Sequence, residues 1–246
     1  MHKGRLKPLL AVVLALVTLA LAGEWQATTH QPAGGLGLEV AIGYYPGRST
    51  PVVYACVGRR WIDPTGRVYK STNFGDTWAQ VYEDPGVRAV KAVDGNPSVV
   101  YVGGNGMGIW KSTDGGETWE ERNNGISPDW RRVGTLVIAH SNPSVLYCAA
   151  GRMEMSPGRI YRTDDGGENW VDVYPPFPDD RDDFWDVVVH PGNDRVVLVA
   201  SAGPPSMYGI WKSTGGGVIL FRASDEFFGF HSLAISELTT YAVGSQ

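Results

Sequence analysis

Short apolar runs recur along residues 38–246, and clusters of Gly, Pro, Asn and Asp separate them. The runs come in groups of four, as in "VRAVKAV" (87–93), "NPSVVYVGG" (96–104), "IWKS" (109–112) and "TWEER" (118–122). Each run is too short for a stable helix and is rich in β-branched and aromatic residues. The hydropathy pattern therefore predicts an all-β chain of short antiparallel strands.

The groups of four are repeats of one unit. The segment between the third and fourth strands reads "VYKSTNFGDTW" (68–78), "IWKSTDGGETW" (109–119) and "IYRTDDGGENW" (160–170). A fourth copy, "IWKSTGGG" (210–217), lacks the aspartate and the tryptophan. A period of about 40–50 residues with four strands per unit indicates a β-propeller, because neighbouring sheets must stack to bury their faces. We predict four full four-stranded blades plus part of a fifth.

The recurring segment has the composition of a tight turn. Asn73, Asp114 and Asp165 occupy the same place in three copies, and such side chains accept hydrogen bonds from turn N–H groups. A glycine follows two positions later in each copy and provides the positive φ that the turn requires.

These segments resemble the Asp-box, or bacterial neuraminidase repeat (BNR), with the pattern Ser-x-Asp-x-Gly-x-Thr-Trp. The residues matched to this structural role are Ser71, Asn73, Gly75, Trp78, Ser112, Asp114, Gly116, Trp119, Asp165, Gly167 and Trp170. The resemblance implies a structural turn remote from any active site. The group includes sialidases, xyloglucanase-type glycosidases, sortilin-like receptors and photosystem assembly factors, so the fold does not select a function.

The repeats place blades at about 38–85, 86–125, 126–176 and 177–225, with a partial blade at 226–246. Residues 23–37 form an N-terminal segment whose start, "GEWQATT" (23–29), resembles a fourth strand and is a candidate ring-closing strand. Two arrangements stay open: a five-bladed ring with a short closing blade, or a fragment of a larger propeller. In a fragment, exposed blade edges would promote self-association.

Residues 1–22 have the layout of a secretory signal peptide, with three basic residues, an apolar run and Ala20-Leu21-Ala22. The alternative is an uncleaved anchor, although the run is shorter than the roughly 20 residues of a membrane span. Cleavage leaves 18 Lys and Arg against 26 Asp and Glu, a net charge of −8. We expect a secreted or periplasmic protein that binds neither nucleic acid nor, after cleavage, a membrane.

Two cysteines, Cys56 and Cys148, fall on equivalent second strands of the first and third predicted blades. A disulfide needs Cα atoms within about 7 Å of each other. Because a blade lies between them, we expect both thiols to stay unpaired.

The sequence contains no His-Glu-x-x-His, Gly-x-Ser-x-Gly or phosphate-loop motif, and its histidines are scattered, so we expect no cofactor and no metal. The Arg-Ile-Pro of sialidases is also missing. Asp63, in "GRRWIDPTGR" (58–67), is the candidate catalytic residue by resemblance to xyloglucanase-type enzymes, but the glycine pair of that motif is missing. A glycosidase also needs a second carboxylate, and Asp-Pro is equally a turn dipeptide.

Variable segments follow the second and fourth strands and should lie at the end of the blades opposite the turns. Binding residues concentrate in such loops. The candidate ligand-binding residues are Arg60, Trp61, Asp63, Trp130, Arg131, Asp182, Trp185 and Tyr208. We favour a binding or scaffold module for a carbohydrate or a peptide, without catalysis. The alternative is a glycoside hydrolase related to xyloglucanase-type enzymes, or an inactive fragment of one.

Overall fold

The computed structural model describes residues 36–58, 66–151, 158–173, 183–202, 209–217, 221–222, 229–236 and 240–245. Within these ranges the regular structure consists of eighteen β-strands and one short 3-10 helix, Pro128–Trp130. Over the same residues, no helix has the length and apolar character needed to cross a membrane.

The strands form sheets in chain order. The first sheet contains β1 (Leu36–Gly43), β2 (Val52–Gly58), β3 (Arg67–Ser71) and β4 (Ala79–Glu83). The second contains β5 (Val87–Val93), β6 (Asn96–Gly104), β7 (Gly108–Ser112) and β8 (Glu120–Glu121). The third contains β9 (Arg132–Ile138), β10 (Leu146–Gly151), β11 (Arg159–Thr163) and β12 (Val171–Asp172).

The fourth sheet contains β13 (Asp183–His190), β14 (Asn193–Ala202), β15 (Gly209–Ser213) and β16 (Phe221–Arg222). The fifth contains two strands, β17 (Gly229–Ile235) and β18 (Thr240–Ser245). The predicted fold class is confirmed: the chain is all-β, with four four-stranded antiparallel blades and part of a fifth.

The chain divides into two compact units. The first contains the described residues up to Val100 together with Ser112–Thr118, and the second contains Tyr101–Lys111 and the described residues from Trp119 onward. The second sheet therefore contributes residues to both units.

In the first unit, β2 packs against β5, and its residues are buried along almost the whole strand. The contact between the two sheets, which we call a joint, also contains two side-chain donors from the first sheet, the buried Tyr54 and the half-buried Lys70. The Tyr54 hydroxyl donates to the Pro97 carbonyl at 2.8 Å, and the Lys70 ammonium donates to the Gly115 carbonyl at 2.9 Å. The ammonium also lies 6.0 Å from the centre of the Tyr54 ring. The lysine therefore enters the joint with an aromatic face and a carbonyl acceptor in place of water.

The second unit repeats this joint between the second and third sheets. Here one acceptor, the Gly166 carbonyl, receives both the Tyr101 hydroxyl at 3.0 Å and the Lys111 ammonium at 2.9 Å. The ammonium lies 5.5 Å from the Tyr101 ring centre. Burial, with a smaller contribution from Arg122, lowers the pKa of Lys111. The carbonyl therefore supports a cation that has lost part of its hydration.

A third joint in the same unit uses arginine. The Arg162 guanidinium lies 5.7 Å from the Tyr147 ring centre, and the Tyr147 hydroxyl donates to the Asp194 carbonyl at 2.7 Å. In the fourth sheet the tyrosine position is occupied by Leu198, which packs against Leu233 of β17. The described part of the fifth sheet contains no turn of this kind, so an apolar contact replaces the hydrogen-bonded joint there.

Two carboxylates on first strands make a second kind of contact between sheets. Within the first unit, Glu39 accepts a hydrogen bond from the Val90 N–H at 2.8 Å and pairs with Lys91. Within the second unit, Asp186 accepts the Leu233 N–H at 2.8 Å. Both carboxylates directly follow a β-bulge in their strand. Each satisfies a backbone donor of the next sheet.

Both cysteines are buried free thiols within their own sheets. Burial raises the pKa of Cys56 to about 12, with a further contribution from Glu39. Burial also raises the pKa of Cys148 well above its ordinary value. Neither thiol is therefore a reactive thiolate at neutral pH.

The turns that receive the lysines and the arginine carry glycine at one fixed position. We call Gly115, Gly166 and Gly216 the joint glycines; their φ angles are 79°, 70° and 78°. A Cβ on Gly115 would lie 2.5 Å from the Lys70 ammonium nitrogen, and one on Gly216 would lie 2.5 Å from an Arg162 nitrogen. The absent side chain is what lets the cation reach the turn.

We predict that Gly115→Ala destabilises the protein more than Gly95→Ala. The two glycines have nearly the same φ, 79° and 80°, but a Cβ on Gly95 meets nothing within 4 Å. Gly95→Ala should cost about 1–2 kcal/mol of unfolding free energy through backbone strain. Gly115→Ala should cost about 1–3 kcal/mol more, because the Lys70 hydrogen bond is lost as well. Urea unfolding measures the difference, and equal losses would contradict the role given to the joint glycine.

Candidate functional site

The predicted turn residues occupy hairpins after the third strands of the four-stranded sheets. In the second sheet, Ser112 donates to Asp114 Oδ1 at 2.7 Å and accepts the Gly116 N–H at 2.8 Å. Asp114 also accepts the Thr118 N–H at 2.9 Å and the Thr118 hydroxyl at 2.5 Å. These hydrogen bonds, led by those from Thr118, lower the pKa of Asp114 well below its usual range. The carboxylate oxygens are already hydrogen-bonded within their own turn, and the group is a poor proton donor.

The third sheet repeats the turn with Thr163 and Asn169. Asp165 accepts the Thr163 hydroxyl at 2.6 Å and the Asn169 side-chain amide at 2.8 Å. Slight burial acts to raise the pKa of Asp165. These hydrogen bonds outweigh that effect and lower the pKa to about 2. Trp170 directly follows this turn, is buried, and donates from Nε1 to the Arg122 carbonyl at 2.9 Å. The turn therefore also attaches the third sheet to the chain leaving the second.

The first turn is built with an amide. Asn73 accepts the Ser71 hydroxyl at 2.9 Å and donates from Nδ2 to the Thr77 hydroxyl at 2.9 Å. At the position of the joint glycines, the first turn has Phe74, with a φ of 59°. The fourth turn has Gly215 at the carboxylate position, and Ser213 alone accepts the Gly215 and Gly217 N–H groups. Trp78, Trp119 and Trp170 each directly precede a fourth strand.

Most of the predicted ligand residues fall outside the described part of the chain. Outside it lie Arg60, Trp61, Asp63, Asp182 and Tyr208. Trp185 is within β13, but its side chain is not among the described ones. The structure places Trp130 and Arg131 together, in the link between the second and third sheets.

This link, residues 123–131, is held in one shape by local contacts within the second unit. Ile126 is buried, and its N–H donates to the Asn123 carbonyl at 2.9 Å. Pro128 opens the 3-10 turn, which closes when the Trp130 N–H donates to the Ser127 carbonyl at 2.9 Å. Gly125 has a φ of 91° and lies so close to the Trp170 backbone that a Cβ would overlap it.

The β6–β7 hairpin is tied to the same link. The Arg131 carbonyl accepts the Gly106 N–H at 3.0 Å and the Gly108 N–H at 3.1 Å. Asn123 is buried, accepts the Ile109 N–H at 2.7 Å and donates to Glu121 at 2.9 Å. We call the end of these sheets opposite the turns the loop end. These contacts make it a rigid platform, which is the condition for precise ligand contacts.

Trp130 is half-buried on this platform and stacks with an arginine. The Arg159 guanidinium lies 4.9 Å from the Trp130 ring centre, and its Nε lies 3.5 Å from Asp172. Arg159 pairs with Ala150 in β10, and the next residue, Gly151, pairs with Arg132 in β9. Both arginines therefore lie at the same end of the third sheet as Trp130.

Arg131 and Arg132 make two further contacts beside Trp130. Arg131 pairs with Glu121 at 2.9 Å, and Arg132 is exposed and donates from Nε to the Asn105 side chain at 3.3 Å. We call these eight residues the Trp130 surface: Asn105, Glu121, Asp129, Trp130, Arg131, Arg132, Arg159 and Asp172. Two of its three carboxylates are paired with guanidinium groups, and Asp129 is exposed on the 3-10 turn. Such a patch suits ligand stacking and hydrogen bonding better than acid-base catalysis.

The sequence identified Trp130 and Arg131 but missed Arg132, Arg159 and Asn105. Arg132 was visible as the second arginine of "DWRR". Arg159 and Asn105 come from other hairpins, and only the strand register brings them to the same end. Among the described residues, no group of three or more His, Cys, Asp or Glu is placed to hold a metal ion.

No protein-family model matches the chain, and no curated protein matches it. Several solved structures are similar to the chain. An ancestral GH74 enzyme shares 24% identity at a TM-score of 0.66, over 89% of this chain and 29% of that chain. The GH74 enzyme of Niastella koreensis shares 20% at 0.63, over 82% and 32%. The GH74 xyloglucanase of Xanthomonas campestris shares 17% at 0.58, over 81% and 33%.

The chain thus spans about a third of the length of these enzymes. At such identities the similarity establishes the β-propeller fold and leaves the activity open.

We predict that Asp114→Asn weakens the acid sensitivity of the protein while Asp114→Ala unfolds the turn. The amide should reproduce the first turn, in which Asn73 contacts the equivalent serine and threonine and donates to the threonine hydroxyl instead of accepting from it. Because the folded pKa of Asp114 is lowered, its stabilisation is present above the unfolded pKa of about 4 and is lost as the pH falls through the folded value. The Asn variant should lose less stability than the parent between about pH 4 and pH 2.

Unfolding by urea at stepped pH measures this effect, with Asp129→Asn, an exposed carboxylate outside the hairpin turns that follow the third strands, as the control. An Asn variant whose stability falls with pH as steeply as the parent's would show that the carboxylate is not stabilised by its turn.

Proposed function

We propose that the chain is an exported Asp-box repeat propeller that acts as a binding or scaffold module. Its ligand, a carbohydrate or a peptide, would bind at the loop end of the sheets, and the Trp130 surface would form part of the site. The observation that carries this proposal is the contrast between the two ends of the sheets. At the turn end each described box carboxylate is saturated by its own turn. At the loop end an indole and three arginines are arranged on a rigid platform.

Physical chemistry favours binding by this set. A half-buried indole gives a flat apolar face, which suits the C–H face of a sugar or an aromatic or proline side chain. The guanidinium groups present several N–H donors in fixed directions. Because Arg131 and Arg159 are already paired with carboxylates, a ligand would meet an ordered polar rim around an apolar centre.

The alternative function is glycoside hydrolysis. The GH74 neighbours include a xyloglucanase, which makes xyloglucan the first substrate to test. Hydrolysis needs an acid and a second carboxylate roughly 5–10 Å apart. Asp63, the candidate from the sequence, lies outside the described residues. Reducing-sugar release from xyloglucan, with Asp63→Ala as the comparison, decides between the two functions.

We predict that Trp130→Ala and Asp165→Ala have opposite effects. Trp130→Ala should weaken binding about tenfold and leave the melting temperature within a few degrees of the parent, because the side chain is half-buried and outside the core. Asp165→Ala should lower the melting temperature and leave the affinity of the folded protein unchanged. Native gels cast with xyloglucan, arabinoxylan or pectin, and a peptide array, provide the binding readout.

Arg195→Ala, at an exposed residue of the turn end, is the matched control for a surface truncation. If Asp165→Ala abolished binding while Trp130→Ala left it intact, the site would have to be moved to the turn end.

A further inference from the structure

The charged side chains of the Trp130 surface are only partly paired with one another. Two ion pairs join four of them: Arg131 with Glu121 at 2.9 Å, and Arg159 with Asp172 at 3.5 Å. The other two, Arg132 and Asp129, are exposed. Within the described ranges neither of these two makes an ion pair. The surface therefore presents one cation and one carboxylate to a ligand in addition to the Trp130 indole.

Arg132 is held in place while the end of its guanidinium group stays open. Its Nε donates to the Asn105 side chain at 3.3 Å, which is the one hydrogen bond of this guanidinium with the described part of the chain. Asn105 belongs to the β6–β7 hairpin, which is tied to the link because the Gly106 N–H donates to the Arg131 carbonyl at 3.0 Å. A guanidinium anchored through Nε keeps two parallel N–H bonds on its Nη atoms, and these match the two oxygens of a carboxylate.

We propose that the ligand of the Trp130 surface is an acidic polysaccharide whose sugar units carry a carboxylate, that is, a uronic acid polymer. The inference rests on the function proposed above and adds the chemical class of the ligand. The C–H face of one uronate ring would stack on the Trp130 indole, and its carboxylate would accept from Arg132. A ring hydroxyl would donate to Asp129.

The mixture of charges on this surface favours a uronate over an acidic peptide. A segment rich in Asp and Glu would bring several carboxylates to a surface that already has three, and like charges at short range repel one another. A sugar has hydroxyl donors for those carboxylates and, as a uronate, also has one carboxylate for Arg132. A neutral sugar has the same ring and hydroxyls but offers Arg132 no anion.

The charge of the whole chain makes acidic ligands a selective probe. The chain has 21 Lys and Arg against 26 Asp and Glu, a formal net charge of −5. A polyanion is therefore repelled by the protein as a whole, and binding has to come from a local arrangement of cations.

Trigalacturonate and its methyl ester, titrated calorimetrically into the full chain, test the proposal. The ester keeps the rings and hydroxyls and removes the charges. We expect saturable binding of the acid and binding of the ester that is at least about tenfold weaker. The titrations contain EDTA, because a calcium ion could otherwise bridge the ligand to protein carboxylates.

Two variants separate the charge contact from the stacking contact. Arg132→Gln should weaken binding of the acid about tenfold and leave the affinity for the ester unchanged, because only the acid has a carboxylate to lose. Trp130→Ala should weaken both ligands by a similar factor. Arg195→Gln, at an exposed arginine of the turn end, is the matched control and should bind both ligands like the parent.

The proposal is overturned if acid and ester bind equally, or if Arg132→Gln weakens both by the same factor. It is also overturned if trigalacturonate does not bind while a xyloglucan oligosaccharide or a hexaglutamate peptide does. In these cases the function proposed above still stands, provided that Trp130→Ala weakens the binding that is seen. If Trp130→Ala leaves the binding of every probe intact, both the ligand class and the site are wrong.

Discussion

The packing of the first three sheets on one another depends on a hydrogen bond from a half-buried lysine to the carbonyl of a glycine turn. Lys70 and Lys111 are each half-buried, lie against a tyrosine ring and donate to the turn of the following sheet. An ammonium group stripped of water without an acceptor would be strongly unfavourable. The acceptor can be approached only because the turn residue has no Cβ and adopts a positive φ. The hydrogen bonds of Ser112 or Thr163 with the turn aspartate fix that conformation, so the turn and the joint act together.

This contact between lysine, tyrosine and turn carbonyl explains which positions stay the same from repeat to repeat and which vary. The turn carboxylates, the joint glycines and the joint tyrosines are held to one geometry because each contacts the next sheet or its own turn. The departures occur where the next contact changes in kind. Leu198 replaces the tyrosine where β17 follows, and Phe74, which has a side chain where the joint glycines have none, occupies the first turn. The loop end takes no part in these joints and is free to carry variable residues.

Much of the fold could be predicted from the sequence because the repeat exposes it. The four-strand unit, the positions of the turns and the partial fifth blade all follow from a recurring hydropathy pattern with Gly and Asp at fixed places. The joints could not be predicted in the same way. Tyr54, Lys70 and Gly115 have counterparts in the next repeat, but their role depends on a contact between successive sheets that a single repeat does not contain.

The candidate site was predicted only in part for a related reason. Trp130 and Arg131 are conspicuous within one segment, "DWRR", and the 3-10 turn keeps them together. Arg159 and Arg132 reach the same end through the β9–β10–β11 register, which depends on a bulge at Ala149/Ala150. A bulge of this kind shifts the pairing by one residue, so sequence periodicity alone does not locate the residues beyond it.

The central claim is that the turn carbonyl holds the sheets together, and the joint at Gly166 tests it most directly because Tyr101 and Lys111 share that one acceptor. The measurement is the unfolding free energy of Tyr101→Phe, Lys111→Met and the double variant. Each single variant should lose about 1–2 kcal/mol, and the double variant should depart from the sum by at least about 0.5 kcal/mol, since the two donors act on one oxygen. If all three variants unfolded with the stability of the parent, the joint would contribute nothing and the account would be wrong.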